Sequence, residues 1–160
     1  MSDTLTRSRG AELLDGEFAQ YAADLAADVA KENPGFDWEY ITMLVRAWAD
    51  WATLVADDPD SGYALTADMD EVWHASVLRT RRYVSFMGEL TGGRFIHHEP
   101  APDYGTPGMV RKTVDALKAA GYGAEAKVWF ASDAASCSGS DCRPAAPCPG
   151  GDVAPLVLVA

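Results

Sequence analysis

The chain has 160 residues, 48% hydrophobic and 23% charged, which is enough apolar material for the core of one globular domain and too much for a wholly disordered chain. Its net charge is -11, and residues 1–60 hold 13 acidic against 4 basic side chains, so that -9 falls there and -2 on the remaining hundred. Such a surface repels phosphate backbones and anionic headgroups, which argues against nucleic-acid binding and against anionic membranes.

No apolar stretch of a secretory signal follows the basic residues near the start, and no apolar run approaches the roughly 20 residues of a spanning helix. The expected location is the cytoplasm. Cys137, Cys142 and Cys148 are an odd number crowded near the C-terminus and lack zinc-finger spacing, so they give neither a disulfide framework nor a closed zinc site.

Residues 1–9 read as a flexible N-terminus. Leu14, Phe18, Tyr21, Leu25 and Val29 recur at helical spacing, which predicts helix one from about Ala11 to Lys31, ended by Asn33-Pro34-Gly35. Asp37 can cap a second helix with Trp38, Ile41, Leu44, Val45, Trp48, Trp51 and Val55 on largely buried faces, stopping near Pro59. A short extended piece, Tyr63 to Leu65, leads to Thr66 or Asp68; Asp68 and Glu71 have capping-box spacing. Helix three then runs to about Leu90 and Thr91-Gly92-Gly93 ends it. Arg94 to His98 is extended, Thr106-Pro107 opens helix four with Val110, Val114 and Leu117 on one face, and Lys127 to Phe130 is a short apolar cap. From Ser132 the composition turns to Ala, Ser, Gly and Pro, which cannot build a core. The expected fold is mainly α: a compact bundle of about four helices over 10–131, a short extended His-His-x-Pro segment, and a disordered tail over 132–160.

All three histidines lie between Asp70 and Pro100. On a helix, Asp70 and His74 are four apart and Glu71 and His74 three apart, so either carboxylate can stand beside the imidazole. Imidazole is the commonest metal ligand, and two histidines with a carboxylate suit one divalent transition metal, zinc or iron, with a position left for water or substrate. In an extended Ile96-His97-His98-Glu99, successive side chains point to opposite sides. His98 is preferred as the partner because Phe95 and His97 then share the other face; His97 and Glu71 are the alternates. Tyr83, Thr80 and Trp73 are the candidates for groups that orient the ligands. The plain alternative is a buried histidine that bonds to Asp70 or Tyr83. Trp73 and Phe86 read as core, and Arg79, Arg81 and Arg82 as a solvated face from which one arginine can pair with the acidic first helix.

No Gly-x-Ser-x-Gly elbow and no glycine-rich phosphate loop is present, so catalysis would rest on metal-activated water. The competing expectation is a non-catalytic interaction module whose acidic first helix and Cys-bearing tail recruit a basic protein partner.

The run Trp73-His74-Ala75-Ser76-Val77-Leu78-Arg79-Thr80-Arg81-Arg82-Tyr83, followed by Gly93-Arg94-Phe95-Ile96-His97-His98-Glu99-Pro100, resembles the bacterial branch of the glycine-rich domain-containing protein-like family. That family's pattern is Trp-His-x-x-Ile-Leu-x-Thr-x-x-Tyr, then Gly-x-Phe-Ile-His-His-x-Pro, and its signature residues fall here on Trp73, His74, Thr80, Tyr83, His97, His98 and Pro100. Many relatives carry a histidine or phenylalanine at the position of Ser76, some an aspartate at Arg79, and often a cysteine at Met87. The resemblance implies a small helical protein whose histidines form one unit, and it implies no particular reaction.

Overall fold

The computed structural model describes residues 5–98, 108–130 and 158–159. Seven helices are described: α1 (Arg9–Asp15), α2 (Ala19–Glu32), α3 (Trp38–Asp57), α4 (Ala67–Leu78), α5 (Thr80–Thr91), α6 (Met109–Ala119) and the single turn α7 (Ala126–Trp129). The fold is mainly α, as the periodicity predicts. Helix α3 is its axis and packs against α1, α2, α4, α5, α6 and α7. Asp37 caps it by accepting from the Tyr40 amide at 2.7 Å. Leu44, Trp48, Trp51 and Val55 are all but fully buried along it, while Trp38 in its first turn is 60% exposed and stands outside the core. None of the described helices is long and apolar enough to cross a membrane.

Predicted helix one is two helices. The chain leaves the helix at Gly16 and re-enters at Ala19, and the break turns Phe18 inward, edge-on to Phe86 at 5.4 Å. Close approach of α1 to α3 depends on Gly10: a Cβ there would lie 2.4 Å from the Ala49 carbonyl oxygen. The continuous helix three is also two helices, broken at Arg79 (φ -89°, ψ 52°). At that corner the Arg79 guanidinium donates through Nε and Nη2 to Asp28 at 2.6 and 3.0 Å and through Nη1 to Asp24 at 3.2 Å. A straight helix would carry this arginine past its two partners on α2; bidentate geometry favours the bend. Arg81 and Arg82 are exposed.

Helix α5 ends at Gly92, whose φ of +72° suits glycine. The chain then forms β1 (Phe95–Ile96), paired antiparallel with β2 (Leu158–Val159) in the register Phe95 opposite Val159 and Ile96 opposite Leu158. Leu158 and Val159 are the described residues of the segment 132–160, and an apolar pair suits the edge of β1. The rest of that segment, with its cysteines, lies outside the described residues, as do Pro100 and Thr106-Pro107. Within the described chain helix four begins at Met109, behind Gly108.

Of the segment 1–9, residues 1–4 lie outside the description, and from residue 6 onward the chain is bonded to the helices. The Thr6 amide donates to the Gly121 carbonyl at 2.8 Å. Ser8, fully buried, accepts from the Ala11 amide and donates its hydroxyl to Asp50 at 2.5 Å. Burial pushes the Asp50 carboxyl above the usual carboxylate range, against the opposing pull of the Ser8 hydrogen bond and Arg46. A group raised in the folded state contributes stability that is lost as pH rises through its folded value. Asp50→Asn does not titrate and still offers an oxygen to Ser8. Its melting temperature relative to wild type should therefore be higher at pH 7 than at about pH 4. Thermal melts at the two pH values test this, and a constant difference would mean that Asp50 titrates normally.

Candidate metal centre

Helix α4 is started by Thr66, which accepts from the Met69 amide, while the other cap candidate, Asp68, is taken by the Tyr40 hydroxyl at 2.5 Å. Starting at Ala67 buries Met69, Val72 and Trp73 and carries Asp70 to the inner side. Asp70 and His74 are one helical turn apart, and the Asp70 carboxylate faces the imidazole with Oδ2 3.5 Å from His74 Nε2. His98 arrives from the far side of the corner, two residues beyond β1, with Nε2 3.0 Å from Asp70 Oδ1. The donor atoms of Asp70, His74 and His98 all lie within 4.8 Å of one another.

The two imidazoles are stacked, with ring centres 4.7 Å apart and planes inclined by 29°. Bonds of about 2.0–2.2 Å from one ion to imidazole nitrogen and carboxylate oxygen place neighbouring donors about 3 Å apart, close to both Asp70 contacts. The remaining closure falls to His74, whose side chain is 44% exposed, against 3% for Asp70 and 12% for His98. Among the described residues the Asp70 carboxylate has no side-chain partner other than these two rings. A buried carboxylate is costly unless a cation or hydrogen bonds compensate it. Protonated imidazole can do so, and so can an ion.

The alternates stand elsewhere. His97 packs its ring edge-on to Phe95 at 4.6 Å, the sharing of a face that alternation predicts, and is no part of the cluster. Its Nε2 is buried with no hydrogen-bond partner among the described residues. Glu71 is exposed beside His74 and is likewise outside the cluster.

Trp73 and Tyr83 hold His98 in place from behind. The Trp73 ring lies 4.2 Å from the His98 ring, and its Nε1 donates to the Tyr83 hydroxyl at 3.2 Å. That hydroxyl donates in turn to the Ile96 carbonyl at 2.5 Å, two residues before His98. Burial drives the Tyr83 phenol well above its ordinary range, so the donor proton stays at neutral pH. Thr80 takes no part in this: it is exposed at the start of α5, and no hydrogen bond joins it to the imidazoles. Residues of α2 beside His74, notably Asp28 and Glu32, escape the sequence reading. Their spacing, four apart on the flank of the Tyr21–Leu25–Val29 stripe, is the signal that places them next to a packed partner helix.

No protein-family model, no curated protein and no solved structure matches the chain.

Proposed function

We propose that the protein is a small cytoplasmic relative of the glycine-rich domain-containing protein-like family that binds one divalent transition metal, zinc or iron, through Asp70, His74 and His98. The observation that carries this reading is the buried Asp70 carboxylate, partnered by two imidazoles and by no other side chain among the described residues. Two nitrogens and one carboxylate form a donor set that both metals accept, and three protein ligands leave coordination open for water or a substrate. The chemistry such an ion supplies is a water activated near neutral pH or a polarised carbonyl, with no nucleophilic side chain needed. His74 is the exposed member of the set, Trp73 packs against the His98 ring, and Tyr83 holds the backbone two residues before it, in the supporting role that outer groups play for metal-ligating histidines.

The competing reading, a basic protein partner on the acidic first helix, has less behind it. Asp24 and Asp28 of that helix are already engaged by Arg79.

Elemental analysis of protein purified without a histidine tag, and after reconstitution with Zn²⁺ or with Fe²⁺ under anaerobic conditions, tests the proposal. About one metal per wild-type chain is expected, against less than about 0.1 in His74→Ala. A wild-type value below about 0.1 after both reconstitutions overturns it.

A further inference from the structure

A cavity of about 630 Å³ lies between residues 5–7, helix α3 and the connection that carries α6 into α7. The Thr6 amide, bonded to the Gly121 carbonyl, holds residues 5–7 along it, and α3 turns one helical face to it, from Glu39 through Met43 to Asp50. Asp50 is the buried polar member of this lining, 7% exposed. Its Oδ1 accepts the Ser8 hydroxyl, while Oδ2 accepts no hydrogen bond among the described residues. That oxygen is not sealed in the core, as the partnerless indole nitrogens of Trp48 and Trp129 are, so its open side is the cavity. A carboxylate drawn out of water with a single donor is under-compensated, and the same burial raises the Asp50 carboxyl above its ordinary range.

Three cations share the wall with Asp50, and none of them forms an ion pair with it. Arg7 and Arg46 both pair with Asp15, Arg46 through contacts of 3.0 and 3.1 Å to its two oxygens. Lys127 Nζ lies over the Tyr40 ring, 5.6 Å from its centre. Glu39 and Glu125 have no ion pair among the described residues. With Asp15 counted, four carboxylates stand against three cations, and the buried one is left without a charged partner. The complementary occupant is a cation that donates an N–H to Oδ2. Leu5, Met43 and Ala47 give that occupant apolar surface for a short alkyl chain, as small-molecule sites combine an apolar wall with one placed polar group.

We infer that this cavity binds a small primary amine, its ammonium donating to Asp50 Oδ2 and its alkyl chain lying against Leu5, Met43 and Ala47. The cavity shares no residue with the Asp70, His74 and His98 cluster, so the inference stands apart from the metal reading. The probes are pentylamine, protonated at neutral pH, and 1-pentanol, its neutral counterpart of the same length. Each is titrated into isotope-labelled, full-length protein without added metal, in about 0.15 M salt to screen attraction to the acidic surface, and amide chemical shifts report both affinity and place.

Pentylamine is expected to saturate with a Kd on the order of 1 mM, about ten-fold tighter than 1-pentanol, with the largest shifts around Asp50 and Ala47. In Asp50→Asn, which keeps an oxygen for Ser8, the preference for the amine should fall to within about two-fold. In Glu39→Gln/Glu125→Gln, where the exposed carboxylates go and Asp50 stays, it should remain at least about five-fold. No saturation below about 10 mM, equal binding of the alcohol, or shifts that map away from Asp50 each overturn the inference. So does a preference that survives Asp50→Asn or one that disappears in the double variant, since either would assign the amine to the acidic surface.

Discussion

Asp70→Asn is expected to weaken zinc binding at least about a hundred-fold while leaving the metal-free fold nearly as stable as the wild type. The two effects separate because the carboxylate does different things in the two states. With no ion, it is a buried anion offset by two imidazoles at 3.0 and 3.5 Å. An amide of the same shape keeps a hydrogen bond to His98 and avoids the cost of burying charge, so the apo protein should change by no more than about 1 kcal/mol. With an ion, the anion is the one hard, negatively charged donor in the set, and its loss leaves two neutral imidazoles. At free zinc a hundred times the wild-type Kd, binding stabilises the folded state by about 2.7 kcal/mol; a hundred-fold weaker site retains about 0.4 kcal/mol. For a chain of this size the wild-type gain amounts to roughly 8 °C in Tm. Melting curves with and without zinc, run side by side on wild type and Asp70→Asn, read both quantities at once. A zinc-dependent rise of equal size in the two proteins would place the metal elsewhere, and a large loss of apo stability alone would make the cluster a structural hydrogen-bond unit.

The helical character and the pairing of Asp70 with His74 were accessible from spacing because both depend on short-range periodicity, whereas the approach of His98 to Asp70 across 28 positions is a product of the fold. Four residues along a helix bring Asp70 under His74, and strand alternation separates His98 from His97, as the contact of His97 with Phe95 reflects. The helix breaks were not accessible in this way. Nothing local marks Arg79 as a corner, because its cause is long-range: the side chain reaches Asp24 and Asp28, more than fifty positions earlier. Gly16 offered a weak local signal, but the apolar stripe from Leu14 to Val29 runs through it almost undisturbed, and the inward turn of Phe18 is decided by packing against Phe86. Thr80 is a different case. Its place in a sequence pattern suggested a group supporting the ligands, yet at the first position of α5 it is exposed.

Tyr83→Phe should cost about 3 kcal/mol of folding free energy and, in addition, lower zinc affinity by about ten-fold. The ring itself is buried and edge-on to Phe95 at 5.3 Å, and phenylalanine preserves that packing. What disappears is one oxygen with two partners, the Trp73 indole N–H at 3.2 Å and the Ile96 carbonyl at 2.5 Å. Trp73 and Ile96 are both fully buried, so water cannot replace the lost oxygen without opening the core, and each orphaned group contributes roughly 1–3 kcal/mol of penalty. The effect on zinc follows from the same atoms. Tyr83 anchors the backbone two residues before His98, and Trp73 supports the His98 ring at 4.2 Å, so losing the anchor widens the positions the ligand samples before binding. Urea denaturation with an unchanged m-value would assign the loss to the folded state, and competition with a chromophoric chelator would give the affinity. Thr80→Ala, exposed on the same helix, is the control and should move stability by less than about 0.5 kcal/mol. A stability loss in Tyr83→Phe without any change in zinc affinity would confine the tyrosine to holding β1, and would mean that His98 is oriented by Trp73 and Asp70 alone.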